Sequence, residues 1–255
     1  MDAQELERVA LDVASAAAKL IMQGFRQSFA VSTKAGEELF TEYDVRSEEL
    51  VRRELERRTP GIPIVGEEQG GKAGDDLTWY IDPIDGTINF VAGHPWFAVS
   101  LGVMRGKRHV AGAVVAPALG QSWSAAIGHG ATKDGAPCKV SSVDTLSQAL
   151  IATGFPQRRG VSQALSERRA LQLGELAARV RDVRRCGSAA VDLCLVGDGT
   201  YDAYWMRRLS PWDTAAGVAV VLAAGGKWTE LGRAGAEHDI ASNGAIDGEL
   251  RAVVE

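Results

Sequence analysis

The chain has 255 residues, enough for one large domain or two packed halves around a substantial core. Hydrophobic residues make up 45% and charged residues 24%, which excludes a disordered, collagen-like or disulfide-stapled chain. A net charge of -5 and a pI near 5.5 offer no global attraction to nucleic acid or an anionic membrane, so neither is expected as a partner.

In chain order, Leu6, Val9, Ala10, Val13, Ala16, Ala17, Leu20 and Ile21 form the i, i+3, i+4 stripe of an amphipathic helix within residues 2–28. A second helix is predicted from Asp44 to Arg57, with Val45, Leu50, Val51 and Leu55 apolar among charges. Ile62 to Val65 reads as a strand entering a polar loop, 66–76, and Thr78 to Asp82 as the next strand. Three apolar or alternating runs, 97–104, 109–116 and 121–127, predict an antiparallel set of strands. After about Ser147 the pattern alternates: strand 150–153, helix 162–179, helix 188–196, strand 201–205, helix 212–224, strand 240–242 and helix 246–254. This predicts an α+β half over 1–147 and an α/β half over 148–255, in close contact and with a cleft between them.

Cys138, Cys186 and Cys194 form no C-x-x-C pair and leave one over, the usage of reduced thiols in the cytoplasm. Asp2, Glu5, Glu7 and Asp12 stand where a secretory signal would be basic and then apolar, so no signal is expected. The longest nearly uncharged apolar run, Gly217 to Gly226, is about half of the ~20 residues that a membrane span needs.

Glycine is unusually common, at 29 residues, and several glycines sit beside acids. Gly66 to Lys72 fits G-x-x-x-x-G-K, but Ala73 follows where a phosphate loop needs Ser or Thr, and Glu67 and Glu68 would face the phosphates. The segment is better read as acids delivered from a strand into a glycine-rich turn. In Asp82-Pro83-Ile84-Asp85-Gly86-Thr87, an apolar strand ends at an Asp held extended by the following proline, and Gly86 opens a turn into a helix start. Asp82 and Asp85 can converge across that bend. With no Cys or His nearby, their oxygens favour magnesium or manganese over zinc, and the N–H groups at the helix start offer a phosphate site. The alternative for these two acids on their own is that they merely cap a helix and fill a turn. The D-x-D-G-T phosphatase motif of haloacid-dehalogenase type is a near miss, because one extra residue separates the acids here. Pro211-Trp212-Asp213 opens the helix of the second half. Asp213 by itself is a capping acid, but with the first cluster it becomes a third metal carboxylate. Ala215, Ala216 and Gly217 predict close packing of that helix. His94, His109, His129 and His238 lack metal spacing and read as structural, and the six tryptophans read as core or interface bulk.

Together, Gly66-Glu67-Glu68, Asp82 to Thr87 with Asn89-Phe90, Gly187 to Ala190, and Trp212-Asp213 with Ala216-Gly217 resemble the inositol monophosphatase family of magnesium-dependent, lithium-sensitive phosphatases. The resemblance covers nearly the whole chain and implies a layered αβαβα sandwich, a homodimer and a cytoplasmic hydrolase. It implies that Glu67, Asp82, Asp85, Asp213 and the Ile84 carbonyl hold two or three Mg2+ (or Mn2+) ions, with Asp44 serving a further ion. Glu67, Thr87 and Asp85 would be catalytic, and the N–H groups of Gly86 and Thr87 would bind phosphate. Asp85, Gly187, Ser188, Ala189, Met206 and Asp213 would meet the substrate. At the Met206 position the family commonly has an acid that contacts inositol, and Arg207 and Arg208 follow, as surface charge or as contacts to a second anionic group. The loss of that acid argues against strict inositol specificity, and the resemblance as a whole implies inositol monophosphate or a similar sugar-alcohol phosphate as substrate. Histidinol phosphate, fructose 1,6-bisphosphate and adenosine 3',5'-bisphosphate remain alternatives, as does a regulator of RNA or polymerase that retains the fold.

Overall fold

The computed structural model describes residues 1–33, 39–154, 163–206, 209–232 and 238–254. Arg207 and Arg208 lie outside the described residues, as does the predicted start of a helix at residue 162.

Helix α1 (Ala3–Ile21) starts in a capping box. Asp2 accepts from the Glu5 N–H at 2.8 Å, and the Glu5 carboxylate accepts from the Asp2 N–H at 2.9 Å. Its apolar stripe is buried, but the helix stops seven residues short of the predicted 28. The chain turns there, where Gly24 passes against the Tyr43 ring and Phe25 packs tilted against Phe97, with ring centroids 4.9 Å apart. Strands β1 (Val31–Thr33) and β2 (Leu39–Thr41) form a small antiparallel ribbon that the sequence did not announce, β1 being exposed throughout. Helix α2 (Glu42–Arg58) follows, capped by Thr41 and Asp44.

Next come β3 (Ile64–Gly66), β4 (Leu77–Asp85), α3 (Thr87–Val91), β5 (Ala98–Arg105), β6 (Arg108–Ala116), β7 (Gln121–Ala126), β8 (Gly130–Lys133) and β9 (Ala136–Cys138). The seven strands pair in sequence order, β3 parallel to β4 and the rest antiparallel, as expected for 97–127. From residue 150 the elements are β10 (Leu150–Thr153), α4 (Gln163–Ala177), β11 (Asp182–Arg184), α5 (Ala189–Gly197), β12 (Ala203–Met206), α6 (Pro211–Ala223), β13 (Lys227–Leu231), β14 (His238–Ser242) and α7 (Asp247–Val254). Their five strands form a mixed sheet in the order β11-β10-β12-β14-β13.

Helices α1 and α2 cover one face of the large sheet, while α5 and α6 lie between the two sheets. Leu176 of α4 and Leu250, Val253 and Val254 of α7 close the outer face of the small sheet over Ile151, Trp205 and Ile240. The result is the expected αβαβα sandwich. Helix α6 packs closely on β5 and β6, as its small residues predicted. A Cβ on Gly102 would overlap the Ala215–Ala216 backbone, so a larger residue there would lift α6 off the sheet. That contact fixes the depth at which Asp213, in the first turn of α6, meets the end of β4.

Candidate active site

Successive side chains of a strand alternate faces, so Asp82 and Asp85 of a regular β4 would point to opposite sides. The pairing with β5 is irregular between them: three steps along β4, Asp82 to Asp85, oppose two along β5, Ser100 to Ala98. The extra residue rephases the strand, the effect of a β-bulge. Both carboxylates then reach the same place, which Asp213 enters from α6, and one oxygen of each of the three lies within 4.8 Å of the others. Asp213 keeps its capping role as well, since its carboxylate accepts from the Ser210 N–H at 2.7 Å.

Glu67 follows β3, beside β4 in parallel, and its N–H donates to the Ile81 carbonyl at 3.2 Å. Its carboxyl hydrogen-bonds the Asp82 side chain. Asp82 is 1% exposed, and burial pushes its carboxyl well above the usual carboxylate range. The charges of Glu67, Asp85 and Asp213 push in the same direction. Burial also raises Asp85, opposed by the Ser188 hydroxyl and the Ala190 and Ala189 N–H groups, all of which hydrogen-bond its carboxylate. Converging buried carboxylates without a cation among them must take up protons, whereas a divalent cation lets all of them ionise. The donors are oxygens only, which fits a hard cation such as magnesium. No histidine or cysteine joins this cluster among the described residues.

The other predicted residues fall as follows. The Ile84 carbonyl accepts from the Thr87 hydroxyl at 3.0 Å, and that hydroxyl lies 3.2 Å from the Asp44 carboxylate. Asp44 is 1% exposed, and burial raises its carboxyl against hydrogen bonds from Thr41 and Thr87. Gly86 has φ +94°, and a Cβ there would sit 2.9 Å from the Trp96 carbonyl oxygen. Ser188 caps α5 and donates to Asp85, which brings Gly187, Ser188 and Ala189 to the acid cluster. Met206 ends β12, opposite Asp239 of β14, and rests its sulfur against Gly154 beside Tyr204.

Three contributors have no role assigned from the sequence. The Asn89 amide donates to the carbonyls of Trp96 at 2.6 Å and Cys186 at 2.9 Å, tying the motif to the Gly187 segment. Asp192, buried in the first turns of α5, accepts from the Trp96 indole N–H at 3.3 Å, and burial pushes its carboxyl up to about 8. Glu48, on α2, binds the loop that carries Glu67. Asn89 lies within a motif that was read, whereas Asp192 and Glu48 carry no local signal beyond their place on faces that turn out to be buried.

Carboxylates from β4 and from α6 meet at one point beside a helix start, an arrangement suited to metal-assisted hydrolysis of a phosphoric monoester. The chain belongs to the inositol monophosphatase family, whose model matches residues 2–251. It is 44% identical over 73% of its length to the inositol-1-monophosphatase SuhB of Mycobacterium tuberculosis, covering 67% of that protein. It is 35% identical to the fructose-1,6-bisphosphatase/inositol-1-monophosphatase of Aquifex aeolicus, over 92% of this chain and 91% of that one. Among solved structures, the extragenic suppressor protein suhB of Bartonella henselae superposes with a TM-score of 0.89 at 29% identity, covering 98% of both chains. No helix among the described residues is long and apolar enough to cross a membrane.

Proposed function

We propose that the protein is a magnesium-dependent phosphomonoesterase that hydrolyses inositol monophosphate or a similar sugar-alcohol phosphate. The observation that carries this reading is the convergence of Asp82, Asp85 and Asp213, with Glu67 hydrogen-bonded to Asp82. These four acids and the Ile84 carbonyl would hold two or three Mg2+ ions, or Mn2+ in their place, and Asp44 would serve a further one. When bound, the metal supplies positive charge for the phosphoryl oxygens and acidifies a water molecule.

The chain's own groups do the rest. The Thr87 hydroxyl has one proton, and donating it to Ile84 or Asp44 leaves its lone pairs free to accept from the attacking water and orient it. Glu67 takes that water's proton, and the Gly86 and Thr87 N–H groups hold the phosphate in line. No covalent intermediate with the enzyme is required. Asp85, Asp213 and the Gly187-Ser188-Ala189 segment line the side from which substrate hydroxyls approach.

Met206 offers a polyol hydroxyl only a weak thioether acceptor in place of a carboxylate, which favours weaker discrimination against other alcohols. This supports a second reading in which fructose 1,6-bisphosphate is also hydrolysed, as the name of the Aquifex relative has it for that protein. The family resemblance supports a homodimer, lithium sensitivity and a cytoplasmic location. Asp85→Asn and Asp213→Asn should each lower magnesium-stimulated phosphate release by at least about a thousandfold while circular dichroism shows an intact fold. Turnover near wild type in either variant would sink the assignment.

A further inference from the structure

The side chain of Glu48 is fully buried on the face of α2 that meets the large sheet. Its carboxylate accepts from the N–H groups of the two residues directly after Glu67: Glu68 at 2.8 Å and Gln69 at 3.0 Å. One turn further along α2, Arg52 donates to the same carboxylate at 2.8 Å and extends its guanidinium to the Gly70 carbonyl at 2.5 Å. The Gly66 N–H closes the loop on that Gly70 carbonyl at 2.9 Å. A Cβ on residue 66 would stand 2.5 Å from a Glu48 oxygen, so glycine is needed for the carboxylate to come this close. One turn before Glu48 on the same helix, Asp44 meets the Thr87 hydroxyl at 3.2 Å. A single rigid helix thus touches both the Glu67 loop and Thr87, through side chains one turn apart.

We propose that Glu48, braced by Arg52, is a positioning residue that fixes Glu67 relative to Thr87, so that α2 sets the spacing of the two groups that orient and deprotonate water. This rests on the role given above to Glu67. Backbone amides held by a buried carboxylate cannot shift without giving up charge-assisted hydrogen bonds, which is why such a contact serves position better than neutral packing would. Outer partners of metal-binding groups typically tune metal affinity by about 10–100-fold.

The test compares Glu48→Ala, Glu48→Gln, Arg52→Met and Glu67→Gln in the full chain, well below their melting temperatures. Magnesium affinity is read by calorimetry, loop order by amide hydrogen exchange at residues 67–70, and turnover at saturating magnesium. Glu48→Ala should weaken magnesium binding about tenfold or more and speed loop exchange. Glu48→Gln should recover part of the loss, because its amide oxygen replaces one of the two acceptors, and Arg52→Met should fall between. If Glu48→Ala does not fold, Arg52→Met carries the test alone, since its side chain is partly open to solvent. Folded Glu48 and Arg52 variants with unchanged magnesium affinity and loop exchange, alongside an inactive Glu67→Gln, would overturn the positioning role alone. A Glu67→Gln variant with unimpaired binding and turnover would instead remove the role of Glu67, and this proposal with it.

Discussion

Replacing Asp192 by asparagine should stabilise the protein, and by more as the pH rises. Asp192 is 2% exposed, and burial is the main cause that lifts its carboxyl from 3.8 to about 8; the charge of Asp85 adds to it, against the Trp96 hydrogen bond and the charge of Arg185. Between those two values the folded state holds a proton that the unfolded chain has lost. The stability tied to that proton is therefore fully present below pH 3.8, drains away as the pH rises, and is gone above about pH 8. The slope is about 1.4 kcal/mol per pH unit, so from pH 5 to 7 the wild type should lose about 3 kcal/mol relative to the variant. Asparagine has nothing to titrate and keeps an oxygen for the Trp96 N–H, 3.3 Å away. For a chain of this size the gap in melting temperature should widen by about 6–12 °C over that range. The assay is thermal or urea unfolding of both proteins at pH 5, 6 and 7 in chelator, where carboxylates remote from Asp192 cancel in the difference. A gap that stays constant with pH would refute the argument.

Two further outcomes are expected. Magnesium at a hundred times its dissociation constant should stabilise the wild type by about 3 kcal/mol, and Asp213→Asn should lose most of that shift; a melting temperature indifferent to magnesium would argue against a metal among these acids. Gly86→Ala, forced to φ +94° with its Cβ against the Trp96 carbonyl, should cost about 1–3 kcal/mol and lower turnover; an unchanged melt with full activity would show that this turn tolerates a side chain.

How far the sequence reveals this architecture depends on where its signal lies. The strands over 97–127 are legible as nearly continuous apolar runs because both faces are covered, one by α1 and the other by α6, and α6 itself is legible in its small residues. The ribbon of β1 and β2 is not legible, since an exposed three-residue strand has no burial pattern to betray it. Strands β11 and β13 lie at the edges of the second sheet, where half-buried polar runs such as Asp182–Arg184 resemble loops. Strand β4 was expected to end at Asp82; it runs to Asp85 because a register irregularity, invisible to a period-two reading, carries it past Pro83.

The acids of the site were legible as motifs, but the groups that support them were not. On α2 the apolar residues Val45 and Leu50 are only partly buried, while Asp44, Ser47 and Glu48 are buried. A helix that turns its carboxylates inward defeats the rule that charges face water. Such inversions are expected where function outweighs local consistency. Asp192 is hidden in the same way, in a helix buried between two sheets.

The central claim is metal-dependent hydrolysis of a phosphate monoester by the carboxylate cluster. It is tested most directly by phosphate release from inositol monophosphate, histidinol phosphate, fructose 1,6-bisphosphate and adenosine 3',5'-bisphosphate, each with magnesium and with chelator. The account predicts strong magnesium-dependent release from inositol monophosphate or a similar sugar-alcohol phosphate, weaker release from fructose 1,6-bisphosphate, and none in chelator. A flat response across the substrates, unaffected by magnesium, would contradict it.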